Sequence, residues 1–142
     1  MKKLMIVIML FLPSLVFASD YDQISKQLFS KIKTGEYEEA MNSLYDTNPW
    51  VSKNSDQVIN IKAQLSSLDG LVGKYLFHEL ISEEKVGTHF VHLIYMVGYE
   101  RQPLRFELQL YKVGSTWRFQ SFSFDADLQE DIGKLANMKL VD

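Results

Sequence analysis

The 142-residue chain carries 15 Lys and Arg against 18 Asp and Glu, a formal charge of −3, and contains no cysteine. The missing thiols exclude disulfides, thiolate metal ligands and cysteine nucleophiles, so stability rests on packing. The mildly acidic balance gives no general attraction for nucleic acid.

At the start, Lys2 and Lys3 precede the apolar run 4–12, and Pro13 to Ala18 follow before the polar Ser19 and Asp20. This three-part pattern predicts a cleavable secretory signal over residues 1–18, with Val16 and Ala18 fitting a peptidase site and cleavage after Ala18. The apolar run falls well short of the ~20 residues that a membrane-crossing helix needs, so no stable membrane anchor is expected after cleavage. Cleavage removes two of the 15 basic side chains and no acid, leaving 13 against 18 and moving the charge from −3 to −5. Residues 19–142 then form a single α+β domain, delivered to the periplasm if the source is a Gram-negative cell.

Three amphipathic helices are predicted first. Ile24, Leu28 and Ile32 lie four apart with Phe29 beside them, and Gly35 supplies the stop. Tyr37, Ala40, Met41, Leu44 and Tyr45 mark a second, shorter helix that ends before Asn48 and Pro49, and residues 50–54 form a loop. Ser55 is a good N-cap for a third, whose stripe of Val58, Ile61, Leu65 and Leu68 is closed by Asp69 and Gly70.

After Gly73 the apolar period changes to two, and four strands follow. Residues 74–82 alternate Tyr75, Phe77, Glu79 and Ile81 against Leu76, His78 and Leu80, with a charged turn at Glu83, Glu84 and Lys85. Residues 88–99 are apolar on both faces, whereas residues 104–113 place Leu104, Phe106, Leu108 and Leu110 on one face only. A two-residue loop at Gly114 and Ser115 sets Lys112 opposite Trp117 and Leu110 opposite Phe119. Phe122 and Phe124 have the opposite parity, so either a bulge re-aims them or the outer face is covered as well. Leu128, Ile132, Leu135 and Ala136 predict a short C-terminal helix.

The expected architecture is α+β: three N-terminal helices packed on a curved four-stranded antiparallel sheet, with a short C-terminal helix. The segment 35–40 opening the second helix, and the run from Phe106 through Gly114 and Trp117 to Phe124 and Asp125, resemble the nuclear transport factor two-like (cystatin-like α+β cone) superfamily, in particular its small exported bacterial members of unassigned function. The resemblance spans most of residues 20–127 and implies a conical cavity between helices and sheet. It also implies dimerisation through the outer sheet face, which would bury the second apolar face of the second strand; the C-terminal helix is the competing cover. Catalytic members, such as ketosteroid isomerases and polyketide cyclases, place an acid or histidine base in the cavity, but no motif here maps such a base.

Tyr75, Phe77, Tyr95, Phe106, Trp117 and Phe119 are the candidate walls of that cavity, and suit a small apolar ligand. The same rings serve equally as a filled core in a domain of this size. His78 and His92 are the polar groups such a cavity would present. His89 and His92, three apart on a strand, project to opposite faces, so no joint metal site is expected without a bulge; His78 can meet either across the first hairpin. Arg105 and Glu107 share a face as a surface ion pair, and Asp127 caps the last helix. No catalytic set, metal site or cofactor is expected. The function expected is an exported module binding a small apolar ligand or an envelope protein partner without catalysis. The alternatives are a small isomerase or cyclase with a cavity acid or histidine, and a structural, homodimeric accessory subunit.

Overall fold

The computed structural model describes residues 20–138. The expected leader over residues 1–18, with its cleavage point, lies outside the described residues. Four helices, α1 (Asp22–Ile32), α2 (Tyr37–Tyr45), α3 (Asp56–Ser66) and α4 (Leu68–Val72), precede four strands, β1 (Tyr75–Val86), β2 (Phe90–Tyr99), β3 (Pro103–Val113) and β4 (Thr116–Asp125); α5 (Leu128–Met138) follows. The strands form one antiparallel sheet in the order β1-β2-β3-β4. No helix among the described residues is long and apolar enough to cross a membrane.

The helical apolar stripes are buried as their spacing requires. Leu28, Phe29 and Ile32 of α1 and Ala40, Met41, Leu44 and Tyr45 of α2 join Val91, Leu93, Leu104, Phe106, Leu108 and Leu110 of the sheet in one core. Gly35 turns the chain between the first two helices with a positive φ of 76°. Ser55 caps α3 by accepting the Val58 N–H at 3.4 Å. The predicted third helix is in fact two: the chain breaks at Ser67, and Leu68 and Val72 on the short α4 bury a separate contact. The β2–β3 turn secures this piece, since Arg101 Nη1 donates to the carbonyls of Gly70 (3.2 Å) and Leu71 (3.0 Å).

Three bulges decide which side chains face the helices. In β1, register shifts between Tyr75 and Phe77 and between Leu80 and Ser82 set Tyr75, His78, Leu80, Glu83 and Lys85 across from the inward residues of β2. Phe77 stands opposite Gly98 instead, on the outer face. The first strand also runs past its expected charged turn to Val86, and Gly87, with φ 60°, begins the reversal. Glu83 and Lys85 stay in the strand because both meet Tyr21: its hydroxyl donates to Glu83, and Lys85 Nζ lies 5.7 Å from its ring centroid.

In β3–β4 the tight hairpin gives the expected pairs, Lys112 with Trp117 and Leu110 with Phe119. Gln120 is then the extra residue, so Phe122 pairs with Leu108 and Phe124 with Phe106. Both rings thereby join the inner face, 5.5 and 5.6 Å from the Phe106 ring. On the outer face, α5 is tied to β3 by Arg105, which bonds both Asp125 (2.7 Å) and Asp131.

Candidate functional site

The helix-facing aromatics are each held by a different aromatic partner or by the Phe29 ring of α1. Phe106, 1% exposed, and Tyr95 both pack against Phe29 of α1. Phe119 meets Tyr45 edge to face at 4.9 Å, Trp117 meets Tyr21 at 5.0 Å, and Tyr75 meets Tyr99 at 6.2 Å. Phe77 is absent from that face, because the first bulge reverses its parity and lays its ring on Gly98.

The histidines are separated as well. His92 lies on the outer face, with Nε2 2.8 Å from Glu107 Oε2, and Arg105 Nε lies 3.1 Å from Glu107 Oε1. Arg105 therefore sits among three carboxylates, which hold its pKa up; Asp125 contributes most. This half-buried network replaces the simple surface pair expected from the strand pattern. His89 precedes β2 and meets Thr88, and His78 stands opposite Val97, so no two histidines face each other. Among the described residues no group of His, Asp and Glu is placed to hold a metal ion.

A partly open cleft lies between α3 and β4, and local sequence builds it. The free edge of β4 at Phe119 is engaged by the segment after α2: Phe119 N–H donates to Thr47 Oγ1 at 2.8 Å, and Asn48 Nδ2 donates to Phe119 O at 2.7 Å. The Thr47 and Asn48 side chains thus satisfy the Phe119 backbone groups at that edge, and Pro49 and Trp50 carry the chain away before Ser55 starts α3. The cleft left between them has a volume of about 200 Å³. Tyr45, Val51, Val58, Ile61, Phe119 and Phe122 make its apolar walls, and Ser55, Gln57, Gln120 and Ser121 its polar fringe. No lining residue carries a charge. Burial raises the Tyr45 pKa, so its phenol stays protonated. Beside Val51, the Trp50 side chain is 86% exposed.

Of the six predicted cavity aromatics, only Phe119 lines this cleft. Val58 and Ile61 read as ordinary core positions, and Gln120 as an ordinary polar strand residue. The one available signal was the parity break between Phe119 and Phe122, since a bulge in an edge strand opens the ladder beside it.

A second, smaller cleft of about 110 Å³ lies between α1 and β1, lined by Asp22, Ser25, Lys26, Phe29, His78 and Tyr95. The His78 ring stacks on Phe29 at 3.9 Å, and Nδ1 is 2.6 Å from the Tyr75 hydroxyl. Burial, and then the nearby Lys33, lower the His78 pKa, so the imidazole is uncharged at neutral pH. Its hydrogen-bond partner is a phenol, which does not strengthen it as a base in the way a carboxylate would. Neither protein-family models nor curated proteins provide a match to this chain.

Proposed function

We propose that the chain is an exported, non-catalytic binding module of the nuclear transport factor two-like kind, working in the periplasm, and that it takes a small, uncharged, ring-sized apolar ligand in the α3–β4 cleft. The observation that carries this reading is the lining: six apolar or aromatic side chains, four uncharged polar ones and no ionisable charge around about 200 Å³. An apolar cavity of roughly 150 Å³ already holds a benzene ring, so the cleft suits one substituted ring. The Gln57 and Gln120 amides and the Ser55 and Ser121 hydroxyls would orient a single polar substituent. The export part of the reading draws its support from residues 2–18 of the sequence.

Calorimetric titration with benzyl alcohol, and with benzoate as its charged counterpart, tests the assignment. Benzyl alcohol is expected to bind saturably and benzoate to bind far more weakly, because the cleft offers a carboxylate no cation. Ile61→Trp, at a half-buried position on the cleft wall, fills the space and is expected to abolish binding. Equal binding of both probes, or unchanged binding by a folded Ile61→Trp protein, contradicts the reading.

A second reading, a homodimer formed through the outer sheet face, is favoured by the exposed Phe77 and Val86, which stand opposite Gly98 and Phe90 on the outer face of the edge strand β1. A bare four-stranded sheet with ten-residue strands presents roughly 600 Å² per face, but α5 already covers the β3 part of the outer face, so stacking two such faces would bury less than the roughly 1,200 Å² at which stable interfaces begin. Light scattering that returns a monomer at high protein concentration removes this reading.

A further inference from the structure

Where the end of α1 and α4 meet the start of β1, a cleft of about 250 Å³ carries charges of both signs that do not pair with one another. Asp69 comes from α4, Lys33 follows α1 and Lys74 precedes β1. Lys33 lies on the β1 side, close enough to His78 to lower its pKa. Asp69 forms an ion pair with neither lysine, and none of the three is ion-paired elsewhere among the described residues. One unpaired surface charge is ordinary, but opposite charges held apart across one space match a ligand that carries both.

The carboxylate is positioned for this. Tyr37, 4% exposed, donates its hydroxyl to Asp69 Oδ1 at 2.6 Å. Burial, and next the bond to Asp69, raise the phenol pKa, so the proton stays on Tyr37. Oδ2 makes no hydrogen bond among the described residues. It faces Gly35, lying 3.9 Å from where a Cβ on that residue would stand. The Gly35 φ of 76° reserves the position for glycine, so no side chain covers Oδ2. Other charges nearby are engaged: Glu100 accepts the Lys74 backbone N–H at 2.9 Å, Arg101 holds the Gly70 and Leu71 carbonyls, and Lys31 pairs with Glu36 at 3.4 Å.

We propose that this cleft is a second binding site, for a small zwitterion of the free α-amino acid class with an apolar side chain, its ammonium on Asp69 Oδ2 and its carboxylate on Lys33 and Lys74. The carbonyl end of α1 adds negative potential beside the ammonium. Ile32, Tyr37 and Tyr75 give the side chain an apolar wall. Scaled from a cavity of roughly 150 Å³ that holds benzene, the space takes roughly ten non-hydrogen atoms, the size of leucine. A ligand with a single charge would meet repulsion from one side of the cleft. No lining residue is shared with the α3–β4 cleft, so the two proposals stand independently.

The test is calorimetric titration of the protein with leucine, with leucinamide, which keeps only the positive charge, and with N-acetylleucine, which keeps only the negative one. Leucine is expected to bind saturably and roughly tenfold more tightly than either derivative, the effect of one charge-assisted hydrogen bond. Asp69→Asn keeps an acceptor for Tyr37 and removes the charge; it should weaken leucine binding roughly tenfold and N-acetylleucine binding not at all. The double variant Lys33→Gln, Lys74→Gln should weaken leucine binding and spare leucinamide. Ile61→Trp, which fills the other cleft, should leave leucine binding unchanged. The proposal is overturned if leucine does not bind saturably, if either derivative binds as tightly, or if leucine binding survives both charge removals unchanged. Loss of leucine binding in a folded Ile61→Trp protein would place leucine in the α3–β4 cleft and overturns it as well.

Discussion

Gly98 and Phe77 offer a sharp check on the reading of the first strand. A Cβ placed on Gly98 would lie no farther than 2.7 Å from three carbons of the Phe77 ring. The ring must therefore leave its position in a Gly98→Ala protein. Phe77 is 43% exposed, so rather more than half of its surface is covered. With a full aromatic burial of ~200 Å², about 110 Å² is at stake, at most roughly 2–3 kcal/mol at 25 cal/mol/Å². Alanine is better than glycine in a strand by ~0.5–1 kcal/mol, so Gly98→Ala should cost about 1–2 kcal/mol net. In a Phe77→Ala background the clash is gone, and Gly98→Ala should then stabilise by about 0.5–1 kcal/mol. Urea unfolding of the four proteins of this cycle gives the coupling directly. If Gly98→Ala has the same effect with and without the ring, Phe77 does not lie on Gly98, and the outward placement of its side chain is wrong.

Further outcomes follow from other parts of the structure. Deleting Gln120 takes out the extra residue and leaves Phe119, Ser121 and Phe122 opposite Leu110, Gln109 and Leu108 in regular alternation, so Phe122 and Phe124 keep the inner face; a change of no more than about 1 kcal/mol is expected by urea unfolding, and a large loss would contradict the placement of the bulge. Arg105→Ala leaves Glu107, Asp125 and Asp131 without their shared cation; proteolysis and amide exchange should then rise in α5 ahead of the sheet. His78 titrates below its usual 6.5 in the folded chain, so the unfolded chain takes up the proton first as the solution is acidified. The stability linked to His78 is therefore complete above 6.5 and lost as pH falls through 6.5 toward the lowered folded value. His78→Gln should flatten that part of the urea-midpoint profile, and an unchanged slope would show that the imidazole is not desolvated.

Much of the fold was legible in the sequence because burial there follows simple periods. The α2 stripe and the leucine face of β3 are buried as spaced, and the Gly114 hairpin set its register by loop length alone. Bulges were less accessible. Parity betrayed the one at Gln120, since Phe119 and Phe122 cannot otherwise share a core. The two in β1 left no such mark, because Leu76, Phe77, Leu80 and Ile81 are apolar on either parity. That is why Phe77 was expected among the inner aromatics and why His78 and His92 looked alike. The break at Ser67 was hidden because Leu65 and Leu68 keep a helical spacing across it. The α3–β4 cleft escaped for a different reason: it depends on Thr47 and Asn48 closing the edge of β4 some seventy residues away, and no local pattern encodes that distance.

The most direct test of the account is an amide-resolved spectrum of the protein during titration with benzyl alcohol. Saturable shifts confined to Val58, Ile61, Phe119, Gln120, Ser121 and their neighbours are the predicted result. Shifts that map instead to the inner sheet around Tyr95 and Phe106, or no saturable shift anywhere, would contradict it.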